Sequence, residues 1–304
     1  MITVLSGGVG AARLLRALRA SAHPPETCAI VNVGDDLVLH GLTICPDLDT
    51  ILYTLAGLNN DQTGWGLAGE SWRVMAELEA LGGESWFRLG DRDLATHLYR
   101  TQRLATGATK TMVSAELASV LGVDVALLPV TDDPVATVFE TAEGRLSFQE
   151  YFVRHHHAVP VTGVEVVGAA SARATPAALS ALEDAHRIVI APSNPIVSID
   201  PILQVPGVRE VVRERRDVVV AVSPIVGGVA LKGPADRLLA ELGHDVSCVG
   251  VADFYGDLVG TWVIDEADAQ HEAALRERGY DVRVTTTVMG RADHDAALAS
   301  AVLT

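Results

Sequence analysis

The chain has 304 residues, is 49% hydrophobic and carries a formal charge of −16, which is enough apolar content for a sizeable core and too acidic a balance for a basic face, so no nucleic-acid partner is expected. Cys28, Cys45 and Cys248 are odd in number and lack metal-type spacing, so neither a disulfide framework nor a zinc site is suggested, and a reducing, cytoplasmic setting fits best. The opening MITVLSGGVG has neither the basic start nor the long apolar region of a secretory signal, and no apolar run of about 18 residues follows, so no membrane association is expected.

Ile2 to Leu5 is a short apolar run, followed by Ser6-Gly7-Gly8-Val9-Gly10 and a helical pattern through Ala11, Leu14, Leu15 and Leu18. Glycines let a backbone approach a ligand closely, and a helix N-terminus offers unpaired N–H groups to an anion, so Gly8 and Gly10 are candidate phosphate contacts. A purely structural glycine turn is the alternative. The dinucleotide fingerprint is incomplete, because Arg13 stands where its third small residue belongs, and no Gly-Lys-Ser/Thr follows to make a P-loop. A second run, CAIVNV, leads into Gly34-Asp35-Asp36, which places this acidic pair where a buried strand leaves its sheet. Pro46-Asp47-Leu48-Asp49-Thr50 then opens a helical pattern with Leu48, Ile51, Leu52 and Leu55, so Asp47 or Asp49 is the expected N-cap. Turns and caps account for single aspartates. Four in one stretch also suit a hard cation such as magnesium, with room left for phosphate oxygens.

Residues 71–81 read as an amphipathic helix with Val74, Met75, Leu78 and Leu81 toward the core. Trp86 to Asp93 is a turn feeding a helix over 94–103, with Asp91 or Asp93 as its cap, and a further helix covers 110–121 between Thr109 and Gly122. From 125 to 168 the chain is rich in β-branched and aromatic residues with a turn at Glu143-Gly144, predicting a hairpin and an inserted antiparallel lobe at about 123–170. His155-His156-His157 lies there. On a strand only His155 and His157 share a face, and two ligands without a third fit a structural or solvent-facing role better than a metal site.

Residues 187–190 form a buried-strand pattern that runs into Pro192-Ser193-Asn194-Pro195, where prolines exclude a regular helix. Ser193, Asn194 and Ser198 offer hydroxyl and amide groups to a base or sugar. The strand over 217–222 ends in Ser223-Pro224-Ile225-Val226-Gly227-Gly228 with Lys232 beyond, a pattern for a second anion site built from Gly227, Gly228 and Lys232. Two short strands, CVGVA and GTWVID, a helix, a strand over 281–285 and a closing helix from Asp293 complete the reading. The expected architecture is a single α/β domain over 1–304. It is a Rossmann-like three-layer fold with a mostly parallel sheet and an inserted, partly antiparallel lobe. Four strand-end loops, after Leu5, Val33, Ile190 and Val222, then share one edge and line one crevice, which implies a ligand with phosphates and a cation.

The pattern GDD-x3-HG-x4-PDLDT-x2-YTLAG with a following GWG, together with WFRLGDRDLATHLYRTQ, APSNP-x2-SI-x-PIL and SPI-x-GG-x-A-x-KGPA, resembles a transferase family of coenzyme F-420 biosynthesis over nearly the whole chain. That family joins a phospho-lactyl or phospho-enolpyruvyl group to the deazaflavin Fo. The resemblance implies small-molecule substrates: Fo, and a guanosine diphosphate-linked three-carbon acid from which GMP leaves. It also implies a homodimer. Magnesium would be held by Asp35 and Asp49, Asp36 or Asp47 would orient the ribityl hydroxyl or accept its proton, Asp49 and Arg88 would contact Fo, and Arg13 would face a phosphate. The spellings ICPDLDT and GDRDLATHL are nearest the actinobacterial branch, so the enolpyruvyl donor is expected and the lactyl donor is the alternative; no residue explains that choice physically. Two other classes remain open. Gly8-x-Gly10 and Asp35 would serve an NAD-type oxidoreductase, against which Arg13 counts, and a non-catalytic nucleotide-binding regulator would share the same fold.

Overall fold

In the computed structural model, which describes residues 1–304, strand β1 (Ile2–Ser6) is buried along its whole length. A strand without a polar face needs cover on both sides, and a parallel sheet between helices supplies it. Six more strands join it: β2 (Thr27–Val31), β3 (Ala126–Pro129), β4 (Arg187–Ile190), β5 (Val219–Val222), β6 (Thr261–Asp265) and β7 (Asp281–Thr285). Their order is β7-β6-β5-β4-β1-β2-β3, with every neighbouring pair parallel. The chain runs outward from β1 to β3 and then returns to the other side of β1. This reversal leaves a crevice beyond the carboxyl ends of β1 and β4, where open α/β sheets take their ligands. Leu5, Ile30, Ile188 and Ile190 face one apolar cluster, and Val4, Ala29, Val31 and Val189 face another. The strand alternation thus makes the three layers. No helix is long and apolar enough to cross a membrane.

Helix α1 (Gly8–Arg19) follows β1 directly, and the last helix, Ala292–Leu303, packs against it. Helix α2 (Pro46–Leu55) begins with proline, and Cys45 in the N-cap position makes no side-chain cap. Asp47 and Asp49 therefore lie inside the first turn rather than at the cap, where their charge suits the positive end of the helix dipole. Helix α3 (Arg73–Ala80) buries Met75 only, leaving Val74 and Leu81 exposed. It packs on a small cluster with Leu39, Ile44 and Leu89 rather than on the main core. Helix α4 (Asp93–Ala105) has no side-chain cap; Asp91, expected to cap it, instead accepts from Ser71 Oγ and from the backbone N–H groups of Arg73 and Val74 at the start of α3. Helix α5 (Lys110–Val120) is capped by Thr109, whose hydroxyl accepts from the Met112 N–H at 3.2 Å. Thr109→Ala is expected to cost about 1 kcal/mol and to lower the melting temperature by roughly 1–2 °C, read by calorimetry, without changing ligand binding.

Three antiparallel strands, Gly144–Ser147, Ala136–Thr141 and Val161–Val167, form a separate small sheet, with the hairpin turning before Gly144. Two expectations for this region are corrected. Residues 126–129 belong to the main sheet as its edge strand, and the segment that includes EYFV is a helical turn, Glu150–Arg154. His155, His156 and His157 follow it in a turn, the last two with positive φ, so they share no strand face; His157 stacks on Phe152 with centroids 5.5 Å apart. CVGVA is likewise a helix, Cys248–Tyr255, capped by Ser247. A short apolar run carries no period that separates strand from helix.

Candidate active site

A cavity of about 800 Å³ opens at the switch point and is lined by the loops that follow β1, β2, β4 and β5, with α2 and α4 on one side. Gly8, Gly10, Arg13, Asp35, Asp47, Asp49, Arg88, Ser193, Asn194, Ser198 and Lys232 all line it, whereas Asp36, Gly227 and Gly228 do not. Asp36 turns away into an ion pair with Lys110 Nζ at 2.5 Å. Gly227 and Gly228 form the two-residue turn of a hairpin between Ile225–Val226 and Val229–Ala230, both with positive φ as that tight turn requires. The Gly227 N–H donates to the Asp268 carboxylate, so the anion site expected there is filled by the chain's own acid.

The α1 glycines are also committed. The Gly8 N–H donates to Asp47 Oδ1 at 2.8 Å, so Asp47 closes the start of a helix other than its own. A Cβ on Gly10 would lie 2.1 Å from the Pro192 carbonyl oxygen, so this glycine lets α1 sit against the loop after β4. Ser193 Oγ donates to Gly7 O at 2.7 Å across the same junction. Asn194 accepts from the N–H groups of Ile196 and Val197 through Oδ1, while its buried Nδ2 has no partner and remains a free donor.

The four cavity carboxylates separate into two pairs. Asp47 accepts from Asn32 Nδ2 at 3.0 Å in addition to Gly8, and Asp35 beside it has a buried Oδ1 with no partner. No cationic side chain touches either. Burial pushes the Asp35 carboxyl well above the usual range, and the charge of Asp47 adds to this. Burial also pushes Asp47 up to about 7, against the lowering effect of the Asn32 and Gly8 contacts. The second pair is compensated. Arg100, absent from the sequence reading, donates through Nη1 and Nη2 to both oxygens of Asp49, and its Nη1 lies 3.2 Å from His97 Nδ1. His97 Nε2 lies 3.2 Å from Asp93 Oδ2, and Tyr53 donates its hydroxyl to Asp93 Oδ1 at 2.6 Å. Asp49, expected to share a cation with Asp35, therefore has both oxygens engaged by a guanidinium. Ligand atoms of Asp49, Asp93 and His97 lie within 4.8 Å of one another and are close enough to hold a metal. His97 Nε2, like Asp35 Oδ1, is a buried atom without a hydrogen-bond partner, but the all-oxygen pair of Asp35 and Asp47, with no guanidinium beside it, is the better fit for a hard divalent ion.

Among the cations, Arg13 lines the cavity without a hydrogen bond or ion pair to the protein. Lys232 Nζ donates to Thr63 O at 3.0 Å, and partial burial with Arg13 nearby lowers its pKa. The Arg88 guanidinium lies 4.8 Å over the Trp72 ring. The antiparallel lobe contributes Phe148, Gln149 and Phe152 to the wall, the two phenylalanines stacked 5.5 Å apart and Gln149 donating to Asp35 O. None of these three stood out in sequence. The stripe Asp93, His97 and Arg100 was open to detection, because its spacing of four and three puts all three side chains on one face of α4.

Fold, site and relatives together define the class of this protein: it is a transferase acting on a phosphate-containing group. A family model described as 2-phospho-L-lactate transferase CofD matches residues 2–299. The chain belongs to that family. A Kitasatospora aureofaciens protein named phosphoenolpyruvate transferase is 42% identical over 99% of this chain and 96% of its own length, and a Thermobifida fusca protein of the same name is 43% identical over the same shares. A Methanosarcina mazei protein named 2-phospho-L-lactate transferase is 37% identical over 99% of this chain and 98% of its own. The crystal structure of a member of the upf0052 family from Bacillus halodurans matches with a TM-score of 0.64 at 18% identity, covering 100% of this chain and 98% of that one, which shows the shared fold.

Proposed function

We propose that the protein moves a phosphoenolpyruvyl group from enolpyruvyl-diphospho-5'-guanosine to the terminal ribityl hydroxyl of Fo, giving the dehydro form of coenzyme F-420-0 and GMP. The observation that carries this reading is the pairing, in one cavity, of a buried carboxylate oxygen on Asp35 that lacks a partner with a guanidinium on Arg13 that also lacks one. The first calls for a cation and the second for an anion, and a metal-bound diphosphate supplies both. The donor follows from likeness to the relatives named phosphoenolpyruvate transferase at 42% and 43% identity. A lactyl donor is the second reading, supported by the relative named 2-phospho-L-lactate transferase at 37%.

In the reaction the hydroxyl oxygen bonds to the phosphorus that carries the three-carbon acid, the bond from that phosphorus to the bridging oxygen breaks, GMP departs with the bridging oxygen, and the hydroxyl proton passes late to the departing phosphate. Asp35 and Asp47 would hold magnesium, which when bound neutralises charge on the diphosphate and the leaving phosphate, the dominant contribution in phosphoryl transfer. Arg13 and Lys232 face the phosphates. The free Nδ2 of Asn194, with Ser198 and the lone pairs of Ser193, serves the guanosine end, and Asp49 with Arg88 serves Fo. Asp36, locked to Lys110 outside the cavity, takes no proton in this scheme. Mass spectrometry of the products formed from Fo, magnesium and the two donors in competition tests the reading. A dominant dehydro product is expected. A dominant lactyl product would overturn the donor, and no product from either would overturn the reaction.

A further inference from the structure

The buried network behind Asp49 has no counterpart behind Asp35, and this asymmetry points to a division of labour among the carboxylates. We propose that Arg100 is a positioning residue for the acceptor end of the site: held by His97 and the Thr43 carbonyl, its guanidinium fixes Asp49 so that its remaining lone pairs receive and orient the attacking hydroxyl. The inference rests on the reading that Fo is the acceptor.

Arg100 is 3% exposed and does not line the cavity, whereas Asp49 does. It therefore acts through Asp49 and not on substrate. A planar fork that meets both oxygens of a carboxylate fixes its plane as well as its charge. Each oxygen still has lone-pair capacity for a substrate hydroxyl. The network also keeps the guanidinium from turning. The donor Nη1 faces His97 Nδ1, so that nitrogen is the acceptor, while Nε2 lies 3.2 Å from Asp93 Oδ2 without a hydrogen bond to it. Thr43 O receives Nη1 as well, and Tyr53 holds the other oxygen of Asp93. Strand, helix and side chain thus fix Arg100 from several sides, the support a preorganised group requires.

The same geometry argues against a metal at Asp49, Asp93 and His97. A divalent ion there would lie beside a buried guanidinium that already occupies both oxygens of Asp49, and the charges would repel at close range. Asp35, by contrast, has no guanidinium, imidazole or phenol within hydrogen-bonding reach of its orphaned oxygen. The cation belongs with Asp35 and Asp47, and the hydroxyl with Asp49.

The test uses Arg100→Lys, which keeps the charge and loses the fork, and His97→Gln, which keeps an acceptor toward Arg100 and loses the contact with Asp93. Fo turnover, GDP affinity in magnesium and melting temperature are measured for each. Arg100→Lys is expected to lower kcat by about 100-fold, as a misplaced reacting group does, while GDP affinity stays within about twofold and the fold persists. His97→Gln is expected to give a smaller loss, also confined to kcat. Turnover by Arg100→Lys close to wild type, or a loss shared equally by GDP binding, would overturn the proposal. If Arg100→Lys does not fold, His97→Gln decides by the same criterion. Manganese titration adds a readout independent of turnover: an ion lost in His97→Gln and kept in Asp35→Asn would make the cluster on α4 the metal site and overturn the assignment. Wild-type protein that binds GDP but turns over Fo with neither donor would instead remove the acceptor reading on which this stands.

Discussion

Asp35→Asn is expected to lower turnover by roughly 10²–10³-fold, the usual effect of losing one charge-stabilising group at a reacting centre, with no loss of thermal stability. The two expectations have opposite origins in one observation. Asp35 is a buried carboxylate with an oxygen that meets no donor, and its burial and the neighbouring Asp47 charge both disfavour ionisation. In the protein alone, asparagine relieves that conflict. In the working complex it removes an anionic ligand from the cation. Melting curves with and without magnesium and GDP separate these effects: wild type should be stabilised by the pair, and Asp35→Asn should start as stable but gain little, because only ligands that bind the folded state raise its stability. Normal turnover in the variant, or a full magnesium-dependent shift, would sink the placement of the metal.

Gly10→Ala is expected to cost stability at the junction of α1 with the loop after β4. Its added methyl would stand 2.1 Å from the Pro192 carbonyl oxygen. That neighbour is backbone, and no rotamer change moves it aside. Overpacking of this kind costs about 1–3 kcal/mol, and the upper part of that range is expected here; the melting temperature should fall by roughly 3–5 °C. The damage should reach function too, because α1 carries Gly8, which holds Asp47, and Arg13, which faces the cavity. Donor affinity is expected to weaken along with stability. A melting temperature equal to wild type would show that α1 does not sit against that carbonyl.

The features legible in sequence are those encoded by neighbours along the chain. CAIVNV followed by Gly34-Asp35 marks a buried strand with an acid at its end, and the structure puts Asp35 at the cavity after β2. Thr109 before a helical run reads as a cap and is one. The partners of these groups were less legible. Arg100 meets Asp49 across 51 positions, and Asp47 meets Gly8 across 39; no local spacing announces either contact. Asp36 illustrates the reverse problem. It stands next to Asp35 and has the same side chain, yet one residue of advance turns it out of the cavity toward Lys110 on another helix. The Gly-Gly turn before Lys232 reads as an anion cradle, yet it is a tight hairpin whose Gly227 N–H is taken by Asp268, 41 residues away.

The strand order also has a consequence for the way the polypeptide is made. β1 lies inside the sheet, between β2 and β4, and precedes all the other strands, but β4 begins at Arg187, which pairs with Ile2. At about 5–20 residues per second, that partner leaves the ribosome roughly 8–30 s after β2 does. During that interval β1, β2 and β3 form at most half a sheet, and the edge along β1 consists of residues that are all buried in the finished fold. The helix 292–303 that packs on α1 arrives later still. A nascent chain of this topology therefore carries an open, sticky strand for much of its synthesis, and chaperone capacity has as much say in its yield as the stability of the finished fold.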